Sequence, residues 1–302
     1  DERLGLSRNP ARVKSFLNGE FTWFGQLYEK LLAAYKDPET EFRHLYYSSL
    51  LDLDAPFLLV LSACGLDDPN KDEKTRAIGY EIDRYYSLLQ LQNAYDSNDF
   101  QDSLYEISEI IREAPVDSFR PAFDKQLRAT IAARRNMVEV EPLSYTSFRQ
   151  TGINLNTRFK RYFFARIDEF LANGMNLNPK HPIADLVTKT GVKTGFHVEH
   201  ILSRNDENLA LFDNDEEKFE QERNRLGGIL LLKGKDNISS GKESYTEKLK
   251  SYANTLYWNE TLRADSYKAK LDMTTLCREY TLDLKPLGRF RPDELEDRHR
   301  LL

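Results

Sequence analysis

Cysteine is almost missing from this chain, and the two that occur, Cys64 and Cys277, stand far apart with no C-x-x-C pairing. That excludes a disulfide framework and a zinc-ribbon scaffold, and it fits a reduced, cytoplasmic setting. Long apolar runs are missing as well. None approaches the roughly 18 residues that a membrane span needs, and no signal peptide is visible, so no membrane partner is expected. Nor is there an excess of basic charge: the formal net charge is −6, which argues against a protein that coats DNA over its whole surface. The five histidines form no H-E-x-x-H string, so a zinc-protease reading fails on spacing. The first residue is Asp1 rather than Met, which suggests a piece of a longer protein.

What is present is enough chain for two domains, 302 residues, with its charge unevenly spread. Leu51 to Phe119 holds fifteen acidic and five basic residues; Arg120 to Phe170 holds ten basic and five acidic. Either part of the surface faces a polyanion or these are ordinary solvated helix faces. Arg12–Tyr35 carries Val13, Phe16, Leu17, Phe21, Phe24, Leu27, Leu31 and Leu32 near a helical period, and Asp37-Pro38 ends it. Leu45–Cys64 is strongly apolar and should lie in the core. Thr75–Tyr95, Phe100–Ala114 and Pro121–Arg135 continue as helices between short polar turns. This pattern predicts an all-α domain over residues 1–141, whose aromatic residues pack its core, with a boundary near Glu139-Val140-Glu141-Pro142.

Beyond the boundary, Thr157–Ala172 reads as a helix with Phe159, Phe163, Ile167 and Phe170 facing inward. Arg158, Arg161 and Arg166 fall on its other sides, where they could meet phosphate or simply solvent. Phe196-His197-Val198-Glu199-His200-Ile201 then alternates as a short strand does, with His197 and Glu199 on one face. Ser203 to Arg225 is a polar insertion with a helical second half, stopped by Gly227-Gly228. Ile229–Leu232 is a buried strand. Ser240 and Glu243 have capping-box spacing, predicting a helix from Ser240 with Tyr245, Leu249, Tyr252 and Leu256 on one face. Asn237 then sits just ahead of that helix and Lys242 in its first turn. A cation is unfavourable there unless a phosphate arrives to share the free N–H groups. Strand, loop, strand and helix in this order can gather an imidazole, a carboxylate and a carboxamide around one metal ion.

The strings His-Val-Glu-His-Ile-Leu and Leu-Gly-Gly-Ile-Leu-Leu-Leu, with Asn237 and Lys242, resemble the HNH (ββα-metal) nuclease superfamily. More narrowly, they are similar to the C-terminal nuclease region of GmrSD/SspE-type modification-dependent restriction and phage-defence proteins. Phe290-Arg291-Pro292-Asp293-Glu294-Leu295 resembles that region's closing helix. Two positions depart from the family pattern: Ser203 where Pro is frequent, and Gly228 where an Asn ties the loop to the first strand.

The resemblance implies a mainly α chain. A helical middle or linker domain, 1–141, precedes an α+β HNH nuclease domain with helical embellishments, 142–302, whose ββα-metal core spans about 194–256. It implies a metal-dependent DNA endonuclease or nickase serving as effector of a restriction or antiviral defence system. His200 would be the general base; Glu199 and Asn237 would hold Mg²⁺ or Mn²⁺, Asn237 completing the catalytic site. Lys242 would hold the phosphate, with Arg158, Arg161 and Arg166 as further DNA contacts. His197 stays open between ligating metal, orienting Glu199 and filling the strand's polar face. A ParB-like NTPase or sensor domain precedes this region in the family, and its Asp-Gly-Gln-Gln-Arg motif is absent here. The alternative is a catalytically degenerate HNH domain that serves as a DNA-binding or regulatory interaction module.

Overall fold

In a computed structural model of the protein, the described residues are 3–234, 236, 243–268 and 271–302, residue 271 by its backbone alone. The fold is mainly α, with one two-stranded sheet among the described residues. Residues 1–144 form one compact unit and 145–302 a second. No helix of the described residues is long and apolar enough to cross a membrane.

The first unit is built from α1 (Pro10–Phe16), α2 (Thr22–Lys36), α3 (Arg43–Leu50), α4 (Ala55–Ala63), α5 (Lys71–Leu91), α6 (Ser97–Ile110) and α7 (Phe119–Arg135). α5 is the hub, packing on α3, α4 and α7. Its stripe of Ile78, Ile82, Tyr85 and Leu89 is fully buried, as a 3.6-residue period requires of an inner helix face. Tyr85 stacks on Phe100 at 5.6 Å and meets Phe123 edge-on at 5.9 Å, so the aromatic residues do fill the core. The acidic and basic blocks meet inside this unit as ion pairs: Arg120–Glu81 at 2.5 Å, Arg84–Asp124 at 2.7 Å and Arg134–Asp96 at 3.7 Å.

One expectation fails here. The apolar stripe of Arg12–Tyr35 is not one buried face: a π-turn at Leu17–Phe21 separates α1 from α2, and α1 buries nothing. Leu17 and Phe21 are exposed, because one extra residue in the turn rotates everything before it out of register with Leu27 and Leu31. The apolar Leu45–Cys64 stretch lies in the core as expected, as two helices separated at Asp52, whose φ of 57° no helix accommodates.

The second unit carries α8 (Tyr145–Gln150), α9 (Thr157–Gly174), α10 (Ile183–Thr188), β1 (Phe196–His200), α11 (Asp206–Ala210), α12 (Glu216–Arg223) and β2 (Ile229–Lys233). After β2 come α13 (Tyr245–Ser251), α14 (Tyr257–Glu260), α15 (Asp265–Lys268), α16 (Leu271–Glu279) and α17 (Pro292–Leu301). β1 and β2 are antiparallel, with Phe196 opposite Lys233 and His200 opposite Ile229. α9 packs on both strands.

The inward face of α9 keeps Phe159, which is buried as expected, but otherwise differs from the expected one. Phe163 and Ile167 are half-buried and Phe170 is exposed, while Phe164, Asp168 and Leu171 are buried. The Asp168 carboxylate accepts from the Trp258 backbone N–H at 2.9 Å, fixing that side of α9 against α14. The helix that carries Tyr245 begins directly after Ser244, while Ser240 lies outside the described residues. Ser244 is its N-cap and forms the capping box with Glu247. It ends at Ser251, so buried Tyr252 and Leu256 follow it rather than continue its face.

α17 closes the unit over the glycine pair that precedes β2. A Cβ on Gly227 would lie 2.6 Å from the His299 nitrogen, and one on Gly228 2.8 Å from the Arg223 carbonyl oxygen. Only glycine allows that approach. The Gly227 N–H donates to His299 Nδ1 at 3.1 Å, and the ring stacks on Phe148 at 4.5 Å. Glu296 of α17 accepts from Arg225 at 2.7 Å, Arg149 at 3.2 Å and the Tyr145 hydroxyl at 2.6 Å.

Candidate active site

His200 ends β1, and its Nε2 lies 2.9 Å from Asn224 Oδ1. Asn224 follows α12, and its Nδ2 donates to the Glu220 carbonyl at 2.8 Å, which fixes the amide with its oxygen toward the ring. Nε2 of His200 therefore carries the proton and Nδ1 holds the lone pair. Burial, then the Arg223 guanidinium, pushes the His200 imidazolium down to about 4, so the ring is neutral near pH 7. A half-buried neutral imidazole with one nitrogen anchored and the other basic is set up to accept a proton.

The loop behind this histidine is held from several sides. Gly152, at φ 142°, puts the turn before α9 so close to Asn224 that a Cβ there would lie 2.3 Å from the Asn224 carbonyl oxygen. Arg223 donates from Nε to the Leu202 carbonyl at 3.2 Å and pairs with Glu220 at 3.2 Å. The Ile201 N–H donates to the Gly228 carbonyl at 2.9 Å. At the two departures from the family pattern, other bonds take over. Asn224 and the Gly228 backbone tie the loop to β1, and no side chain would fit at Gly228. The Ser203 hydroxyl donates to the Glu243 carbonyl at 2.8 Å, fastening the exit of β1 to the approach to α13.

Glu199 is 4 % exposed, and Lys248 of α13 donates to its Oε1 at 2.6 Å and to the His200 carbonyl oxygen at 2.6 Å. Lys248 is 1 % exposed, and burial, acting against the attraction of Glu199, lowers its pKa. His197 is half-buried, with Nε2 3.4 Å from the Gly191 carbonyl oxygen. Asn237, Lys242 and Ser240 lie outside the described residues. Among the described residues, no group of three His, Cys, Asp or Glu side chains could hold a metal ion. The Lys248 ammonium lies at hydrogen-bond distance from Glu199, one of the two residues expected to hold Mg²⁺ or Mn²⁺; the other, Asn237, is outside the described residues.

The three arginines of α9 have different surroundings. Arg166 lies over the Tyr162 ring at 5.6 Å and within 3.6 Å of Glu169. Arg158 is half-buried. Arg161 is buried, its Nε has no hydrogen-bond partner, and burial together with the charge of Arg158 lowers its pKa. His200 and Glu199 thus sit together with Lys248, Arg223 and Asn224, while His197 and Arg166 have partners of their own.

Three of these residues escaped the sequence reading: Asn224, Arg223 and Lys248. Lys248 left a signal, since it stands at the i+3 position between Tyr245 and Leu249 on the stripe expected to be buried. Asn224 left none, because its meeting with His200 depends on how the insertion folds back.

No curated protein sequence and no solved structure matches the chain. Over residues 144–302, more than half of its length, the chain matches the family model for the C-terminal domain of GmrSD restriction endonucleases, and it belongs to that family.

Proposed function

We propose that this chain is a DNA endonuclease or nickase of the HNH type, acting as the cleaving effector of a restriction system, with His200 as its general base. The observation that carries the reading is the His200–Asn224 pair at the end of β1, which leaves Nδ1 free of the ring proton inside a restriction-endonuclease domain. In the proposed step a water loses its proton to Nδ1 of His200 as its oxygen bonds to phosphorus. The bond from phosphorus to the leaving sugar oxygen breaks, and charge gathers on the non-bridging oxygens. Arg223 supplies positive charge beside the ring, and Arg158 and Arg161 are proposed as contacts to the DNA backbone. Asn237 and Lys242 keep, as proposals, the roles the resemblance implies. No step is routed through a metal, and the need for Mg²⁺ or Mn²⁺ is an assay variable.

His200→Ala is expected to slow nicking of supercoiled plasmid by about 10²–10⁴-fold while DNA binding is retained. Equal nicking by the variant sinks the assignment. Parallel reactions with Mg²⁺, Mn²⁺ or a chelator read the metal requirement.

The degenerate-module reading has one observation on its side: Lys248 already occupies the carboxylate of Glu199. It predicts DNA binding with no nicking at any protein concentration or with either metal.

A further inference from the structure

Three lysines are buried among the described residues: Lys74, Lys160 and Lys248. Lys74 donates to Asp68 at 2.7 Å and Lys248 to Glu199 at 2.6 Å, as buried ammonium groups must be compensated. Lys160, 7 % exposed, has neither an ion pair nor a hydrogen bond for its ammonium among the described residues, and burial alone lowers its pKa. The next residue, Arg161, is also buried, with its Nε unpartnered. An ammonium with no anion at the end of a largely buried side chain is open to one that arrives from outside.

Lys160 stands at the start of α9, which packs on β1, the strand that His200 ends, and its charge adds a small part to the lowering of the His200 pKa. The other cation acting on that ring, Arg223, is already engaged by Glu220 and by the Leu202 carbonyl. We propose that Lys160 is the residue that binds a non-bridging oxygen of the DNA phosphate presented to His200, so that α9 contributes a substrate cation to the site formed by the strands. The inference rests on the nuclease reading for its catalytic part, but the phosphate contact stands apart from it.

The test compares the full chain with Lys160→Met and Lys160→Arg in three measurements: thermal melting, DNA affinity across a salt series, and plasmid nicking. Lys160→Met should melt at the same or a higher temperature, since it removes an unpaired buried charge. Its affinity for a DNA duplex should fall, with the slope of log affinity against log salt shallower by about one. Nicking should drop on the order of 10²-fold, and Lys160→Arg should recover at least part of both losses. An unchanged salt slope overturns the inference, and so does a lowered melting temperature with nicking intact, the mark of a structural lysine. If the wild-type chain binds DNA without nicking it, the nuclease reading falls, and the salt slope still decides the phosphate contact.

Discussion

At the scale of single residues, the site depends on which nitrogen of His200 is protonated, and a carboxamide sets that. Asn224 cannot turn its amide over without losing the Glu220 carbonyl, so it presents an acceptor to Nε2. Replacing it by Leu removes the anchor and leaves the ring free to change tautomer. Asn224→Leu should therefore lower nicking by about 10–100-fold, the range seen when a group that orients a functional histidine is lost. Circular dichroism and DNA affinity close to wild type would place the loss at the ring; wild-type nicking would refute the tautomer argument. None of this geometry could be read from the sequence. His200 and Glu199 stand out by their spacing on a strand, but a strand pattern cannot say that Glu199 meets an ammonium.

Pairs of elements come next, and here the buried bond between β1 and α13 dominates. Lys248 reaches both the Glu199 carboxylate and the His200 carbonyl, so it fixes the end of the strand from which the base projects. Lys248→Met strands a buried carboxylate and should cost about 3–5 kcal/mol of stability in urea unfolding. Adding Glu199→Leu should restore most of it, since the double variant leaves no charge behind; a double variant less stable than either single one would contradict the account. The elements themselves were partly legible. β1 and β2 follow from alternation and bounding glycines, and α17 is where the resemblance to the family's closing helix implies one. The start of α13 was not. Ser240-x-x-Glu243 and Ser244-x-x-Glu247 are equally good capping boxes in sequence, and the box formed by Ser244 and Glu247 opens α13. The face of α9 misled for a similar reason: it has two apolar stripes, and packing against the strands and Trp258 selects the one that carries Tyr162, Phe164 and Leu171.

For the molecule as a whole, the family match and the mainly α architecture agree, and stability in the second unit converges on α17. Glu296 is the centre of that clasp: hydrogen bonds from Tyr145 and Arg225, outweighing its burial, draw its pKa down to about 2. A carboxyl whose folded pKa lies below its unfolded value stabilises fully above the ordinary carboxylate range and loses that contribution as pH falls toward 2. The stability gap between wild type and Glu296→Gln should be on the order of 1–3 kcal/mol near pH 7 and should shrink by about pH 3. Urea titrations at the two pH values read it, and a gap that stays constant removes the ion-pair explanation. The clasp bears on function because Arg225 is the neighbour of Asn224, so the closing helix braces the loop that orients His200.

The central claim is that His200 performs proton transfer during cleavage of DNA. The most direct measurement is nicking of supercoiled plasmid by the wild-type chain and by His200→Ala, with DNA affinity measured on the same samples. The account predicts nicking by the wild type, a loss of about 10²–10⁴-fold in the variant, and equal affinity in both. Equal nicking by the two proteins, or binding by the wild type with no nicking at all, would contradict it.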